Sequence, residues 1–219
     1  MSLNKVIALA RADLGYTESP ANSNKTKFGE SYGMNGQPWC VMALWYWFRE
    51  AGEAAAFFGG AKTASCGTLL RWYREQGLTV PVAEVQAGDI VLLNFNGKGT
   101  ADHCGLVENV GVTNAMWPFV RTIEGNTTPG VEGSQDNGGC VAEKDRLFSQ
   151  IVGVCRPQYK PEESETIDDI TGHWAEKAIR RCMARGLLKG YPDGSFQPDK
   201  PVTRAELATV LDRMEDDGK

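Results

Sequence analysis

The stretch from Arg156 to Thr166 constrains this chain more than any other. It carries Pro157 and Pro161, the acids Glu162, Glu163 and Glu165, and Lys160 and Ser164, with few residues able to enter a core. A segment of that composition stays solvated and reads as a linker. The 219 residues therefore divide into a first domain over 1–158, a linker over 159–166 and a small second domain over 167–219.

The two sides of the linker differ in texture. The first third reads as helices over Lys5 to Leu14, Pro38 to Ala51 and roughly Thr63 to Gln76. From Asp89 onward, short strand-like runs follow between Gly and Asn residues: Ile90 to Phe95, His103 to Asn109, Val120 to Glu124 and Ile151 to Arg156. Helices first and strands afterwards, without alternation, predict an α+β domain with an antiparallel sheet. Beyond the linker, helical patterns span about His173 to Arg185 and Thr203 to Met214. The turn residues Tyr191-Pro192-Asp193-Gly194, with Pro198 and Pro201, lie between them.

Composition closes several function classes. A hydrophobic fraction of 42% excludes a disordered chain. The apolar run Val41 to Phe48 stops at Arg49 and Glu50, far short of a membrane span. The net charge is −5, acidic in both halves, with no dense basic block for nucleic acid. Met1 to Lys5 lead into an amphipathic pattern with Arg11 and Asp13, not a signal-peptide stretch; the expectation is a protein that reaches its target without the secretory pathway, ahead of the alternative that a leader precedes this sequence. The six cysteines (Cys40, Cys66, Cys104, Cys140, Cys155 and Cys182) form no C-x-x-C pair. Neither a zinc site nor a disulfide framework is expected, and no cofactor.

Chemistry concentrates in Gln37-Pro38-Trp39-Cys40. Proline suits the first position of a helix, which places Cys40 in the first turn, where unpaired N–H groups and the dipole favour an anion. That setting lowers a thiol's pKa. The same amides, with the Gln37 side chain, could receive an oxyanion. The alternative is a small buried cysteine packed by Leu44, Trp47 and Phe48. Of the two histidines, His103 opens a strand pattern and is the base available to a thiolate; its alternative is a satisfied histidine at a strand start. Glu124 in the next strand could orient that imidazole, or be a surface acid.

Residues 1–158 resemble the CHAP family of cysteine, histidine-dependent amidohydrolases and peptidases, which are papain-like and act on peptidoglycan. The pieces that carry the resemblance are Asn24-Lys25-Thr26-Lys27-Phe28-Gly29, Pro38-Trp39-Cys40, Ala87-Gly88-Asp89-Ile90-Val91, His103-Cys104-Gly105-Leu106-Val107, Ile123-Glu124-Gly125-Asn126 and Ile151-Val152-Gly153-Val154-Cys155-Arg156-Pro157. The resemblance implies Cys40 as nucleophile, His103 as base and then acid, Glu124 as its orienting partner and Asn126 as a further polar site residue. It implies acyl transfer through a thioester, at the amide between muramic acid and L-alanine in preference to one in the stem or cross-bridge. Tyr32, Trp39 and Trp117 are candidates for an aromatic groove. Cys104, where the pattern more often has Val, reads as a core substitution that could add redox sensitivity. Some relatives bind calcium near the loop from Asn22 to Lys27, but here that loop lacks clustered aspartates.

Residues 167–214 resemble one S-layer homology (SLH) repeat. The matching text runs Ile167-Asp168-Asp169-Ile170-Thr171-Gly172-His173-Trp174-Ala175, then Gly186 to Asp199, then Val202-Thr203-Arg204-Ala205-Glu206-Leu207. Thr203 and Glu206 have capping-box spacing, and Ile179, Leu187, Phe196, Leu207 and Leu211 could form a small core. The resemblance implies binding to an anionic secondary cell-wall polysaccharide, with Arg204 on a carboxylate and Trp174 against sugar. The alternative for Trp174 is core packing, and for Arg204 a plain helix surface. Such repeats commonly occur in threes, so a lone copy with a thin core is expected to self-associate or to lean on the first domain.

The two resemblances together imply a wall-lytic enzyme, a phage or prophage endolysin expected to be held in the cytoplasm until lysis and to act at the cell wall or outside the cell. The alternative is a wall-anchored, S-layer-associated binding protein with a degenerate enzyme fold. A metal-dependent hydrolase lacks histidines.

Overall fold

The computed structural model describes residues 2–97, 99–112, 118–130, 133–160, 168–191 and 194–216. The chain forms two compact units, Met1–Pro161 and Glu162–Lys219. No helix among the described residues is long and apolar enough to cross a membrane.

The first unit is mixed α+β, as the helix-then-strand order predicts. Its helices are α1 (Ser2–Ala12), α2 (Lys27–Tyr32), α3 (Cys40–Glu50) and α4 (Cys66–Glu75). Its strands are β1 (Thr79–Val80), β2 (Ile90–Leu93), β3 (His103–Val112), β4 (Pro118–Thr127), β5 (Cys140–Leu147) and β6 (Ile151–Cys155). They make one six-stranded sheet in the order β1-β6-β2-β3-β4-β5, antiparallel at every pairing. Alternation along the strands separates two apolar sets. Ile90, Leu92, Cys104, Leu106 and Ile123 join the main core with the helices; Val91, Leu93, Val107, Val120 and Val154 form a second cluster with Val85 and Ile151.

Helix α3 is apolar almost all round because it is buried almost all round, from Cys40 to Phe48 apart from Tyr46. Trp39, Trp47, Phe28 and Phe48 are fully buried, each contributing on the order of 1.5–3 kcal/mol by area. Gly125 lets the helix reach β4, since a Cβ there would lie 2.7 Å from Ala43 Cβ and 2.8 Å from the Trp39 ring. Helix α2 is too short for periodicity to reveal. Local chemistry makes it: Thr26 Oγ1 accepts from Gly29 N at 3.0 Å, and Gly33 closes the end at φ 88°.

Strand β5 is also absent from the sequence reading. Its inward residues are Ala142, Lys144 and Arg146, while Glu143, Asp145 and Leu147 face outward, so a hydrophobic alternation never appears. Tyr159 and Lys160, expected in the linker, belong to the first unit. The Tyr159 ring stacks on Phe48 at 5.5 Å, its hydroxyl donates to Gly88 O at 2.6 Å, and Lys160 N donates to Glu53 Oε2 at 3.0 Å.

The second unit holds α5 (Glu176–Ala184) and α6 (Arg204–Asp216). Thr203 N donates to Glu206 Oε2 at 2.8 Å and Glu206 N to Thr203 Oγ1 at 3.2 Å, the capping box its spacing predicts. The core is Ile170 and Ile179 with Ala175, Met183 and Phe196 packed on them, and Leu187 is also buried. Leu207 and Leu211 do not join it: they are 49% and 52% exposed. With Met214 they follow a four-then-three spacing along one outward stripe of α6, while Ile170 takes a core place from the other end of the unit.

Candidate functional site

Helix α3 starts at Cys40, two residues later than the proline rule places it. Trp39 takes the cap position without a side-chain hydrogen bond, because its fully buried ring is stacked on Phe28 at 5.1 Å. Cys40 is thus the first helical residue, beside amides that lack an intrahelical acceptor.

His103, the first residue of β3, is fully buried. Its Nε2 lies 3.0 Å from Glu124 Oε2. Nδ1 has no partner in strict hydrogen-bond geometry, and the Cys40 thiol meets the imidazole in a looser contact. Gly105 makes room for Glu124: a Cβ there would sit 2.8 Å from Glu124 Cγ.

Glu124 is held from several directions. Thr122 Oγ1 donates to Oε1 at 2.7 Å, and Arg146 donates Nε to Oε1 at 2.8 Å and Nη2 to Oε2 at 2.5 Å. Arg146 also donates to Gln135 Oε1 at 3.1 Å and lies over the Phe95 ring at 4.7 Å. The result is a buried relay from Cys40 through His103 and Glu124 to Arg146.

Its electrostatics favour a thiolate–imidazolium pair. Hydrogen bonds from the Cys104 and Cys66 thiols, and the neighbouring His103, hold the Cys40 thiol well below the usual cysteine range, against the opposing effect of burial. Burial depresses His103, but its bonds to Cys40 and Glu124 outweigh this and raise it to about 9. Burial likewise works against the Glu124 carboxylate, yet Arg146 and then His103 bring it down to about 2. Burial, with the bond it makes to Cys40, pushes Cys104 up.

The structure thus brings together Cys40, His103 and Glu124. Among the described residues no hydrogen bond joins Asn126 or Gln37 to these three. Buried Asn126, at φ 63°, donates to Asp136 O at 3.3 Å and Asn137 Oδ1 at 3.0 Å, tying down the next turn, while its Oδ1 lacks a partner. Gln37 is exposed on the turn before α3. The aromatic groove is not formed as expected either: Trp39 is fully buried and Tyr32 nearly so, and Trp117 lies outside the described residues. In the Asn22–Lys27 loop, the amides of Asn24 and Thr26 bond Glu18 Oε2 and Asn35 Oδ1.

Arg146, Cys66 and the closeness of Cys104 escaped the sequence reading. Arg146 had a signal: in Glu143-Lys144-Asp145-Arg146, charge alternates with the strand period, which puts both bases on one face. Cys66 had none, since only folding brings it near Cys40.

In the second unit Trp174 is 90% exposed, so the core alternative for it falls. Arg204 is exposed at the start of α6. A groove of about 390 Å³, lined among others by Tyr191, Phe196, Lys200, Glu206 and Arg213, includes neither of them.

Residues 166–208 match the family model of the S-layer homology domain, and the chain carries such a domain. Among similar proteins, cell surface glycoprotein 1 of Acetivibrio thermocellus is 41% identical over 70 residues, 32% of this chain and 3% of that protein. The cellulosome-anchoring protein of the same organism is 39% identical over 101 residues, 46% of this chain and 22% of that protein. The chain thus spans less than a quarter of the length of either relative. Among solved structures, one titled "The crystal structure of Ly7917" aligns with a TM-score of 0.42 and 17% identity, covering 72% of this chain and 62% of that one.

Proposed function

We propose that this chain is a wall-attached protein whose first unit hydrolyses an amide bond of peptidoglycan. Attachment is supported by the SLH domain and by relatives named for the cell surface and for anchoring. Hydrolysis rests on one observation, the Cys40 thiol beside an imidazole that Glu124 and Arg146 hold from its other side. Together with the resemblance of 1–158 to CHAP amidohydrolases, it defines a cysteine mechanism. The Cys40 thiolate attacks the carbonyl carbon, and the free amides at the start of α3 receive the oxyanion. His103 then gives its proton to the leaving amine, and afterwards takes one from the water that opens the thioester. Glu124 and Arg146 keep the ring oriented and its positive charge compensated. The muramoyl–L-alanine amide is the proposed bond, ahead of stem or cross-bridge amides. Trp174 and Arg204 are the proposed contacts to secondary wall polysaccharide.

A second reading is a wall-anchored binding protein whose first unit keeps an enzyme-like site without turnover. It fits the relatives' names better, and the burial of the site, with Cys40 only 5% exposed and His103 and Glu124 not at all, favours it. Mass spectrometry of purified walls separates the two. Hydrolysis releases stem peptides or shortened cross-links with the wild type and not with Cys40→Ala, while both proteins co-sediment with walls. Co-sedimentation with no release by either protein leaves the binding reading. The outward stripe of α6 is the proposed surface for self-association; a strict monomer on sedimentation that still binds walls tightly would exclude it.

A further inference from the structure

The Cys40 sulfur belongs to a second constellation besides its pairing with His103. The sulfurs of Cys40, Cys66 and Cys104 all lie within 4.8 Å of one another, with Cys40 and Cys66 3.8 Å apart. The three come from the starts of α3 and α4 and from β3, so the fold itself assembles them. Packing alone asks for no such choice, because small apolar side chains fill the same volume without bringing three polarisable donors together.

Their geometry is that of a soft-metal site short of its ion. Four sulfurs arranged tetrahedrally around zinc at about 2.3 Å stand about 3.8 Å apart. Cys40 and Cys66 already have that separation, and Cys104 is within about an ångström of it by the same measure. Cys40 and Cys66 each open a helix, where unpaired amides and the dipole offset thiolate charge. Cys104 is fully buried, whereas Cys40 and Cys66 keep 5% and 7% of their surface. A cation would therefore enter past the two helix starts and keep its fourth position on that side, for water or an exogenous ligand. Three thiolates select zinc, cadmium or copper(I) over calcium and magnesium.

We infer that Cys40, Cys66 and Cys104 form a binding site for a thiophilic divalent cation, zinc being the natural representative, and that its occupancy silences Cys40. On binding, each thiol forms a sulfur–metal bond and gives up any proton it carries to the buffer. A sulfur lone pair shared with the cation is then unavailable to attack a carbonyl. The silencing rests on the hydrolase reading; the binding does not.

The test uses the full chain, stripped of metal, kept reduced with a phosphine and carrying Cys182→Ser to remove the second unit's thiol. Titration with cobalt(II) should give thiolate-to-cobalt charge-transfer absorption saturating at one ion per chain and displaced by zinc. Loss of even an outer-shell partner costs about 10- to 100-fold in affinity, so Cys66→Ser, Cys66→Ala and Cys104→Ser should each weaken binding at least tenfold. Unchanged far-ultraviolet circular dichroism would verify their folding. No charge-transfer band in the folded parent overturns the site, as does a band that survives loss of both Cys66 and Cys104. Stoichiometric zinc should abolish wall digestion and a chelator restore it; digestion indifferent to bound zinc overturns the silencing. A cobalt band in a chain that digests nothing even when metal-free leaves the site standing and overturns the hydrolase.

Discussion

Glu124 has no solvent exposure, and its charge is tolerable only because Arg146 and His103 face it. Removing one partner of such a pair strands the other, at a cost of about 3–5 kcal/mol. Arg146→Ala should lose stability on that scale in denaturant titrations. The pH dependence has two sides. Glu124 sits at about 2 against an ordinary 4.5, so its contribution to stability is complete above 4.5 and disappears as pH falls through 2. His103 sits at about 9 against 6.5, so its contribution is complete below 6.5 and disappears as pH rises through 9. Cys40, held well below its ordinary 9, gains stability over the same window as pH rises. Unfolding free energy measured between pH 6.5 and 9 should therefore stay nearly level in the wild type and decline in Cys40→Ala, where the His103 contribution is no longer offset. If the first unit is a hydrolase, kcat/KM should fall along an alkaline limb near 9 as the imidazolium is lost. Cys40, His103 and Glu124 were legible in sequence because each occupies a position with chemical meaning: a helix mouth, a strand start, a neighbouring strand. Arg146 was not, because a buried guanidinium looks in sequence like an exposed one until its partner is known.

Elements were legible where burial followed their own period. The amphipathic and all-apolar helices and the strands from Ile90 to Leu93 and Ile151 to Cys155 were visible for that reason. Strand β5 was hidden because its inward face is built from Lys144 and Arg146, and α2 because caps and not periodicity define it. The contact of α3 with β4 turns on Gly125. Gly125→Ala forces a methyl against Ala43 and the Trp39 ring and should cost about 1–3 kcal/mol, read as a lowered melting temperature and weakened reactivity of Cys40 toward iodoacetamide. In the second unit, Thr203→Ala removes a cap whose bonds are both present. A loss of about 1 kcal/mol is expected, a large share of what so thin a core supplies, and calorimetry of the second transition would register it.

The whole molecule is two compact units, and their tasks should separate with them. A chain ending at Pro161 should keep its thermal transition and any turnover of soluble muropeptides while losing co-sedimentation with walls. Residues 162–219 alone should retain wall binding. The boundary itself was legible from the acidic, proline-bearing stretch, but its start was not: Tyr159 and Lys160 look like linker residues until Phe48, Gly88 and Glu53 are seen to hold them. That clasp has a mechanical meaning. Traction applied to the second unit arrives at Tyr159 and Lys160, and past them at β6, an inner strand flanked by β1 and β2. The clasp's contacts lie between the second unit and the sheet along the chain, so a pull from that side loads the Tyr159 ring and the Lys160 amide before it reaches the strand.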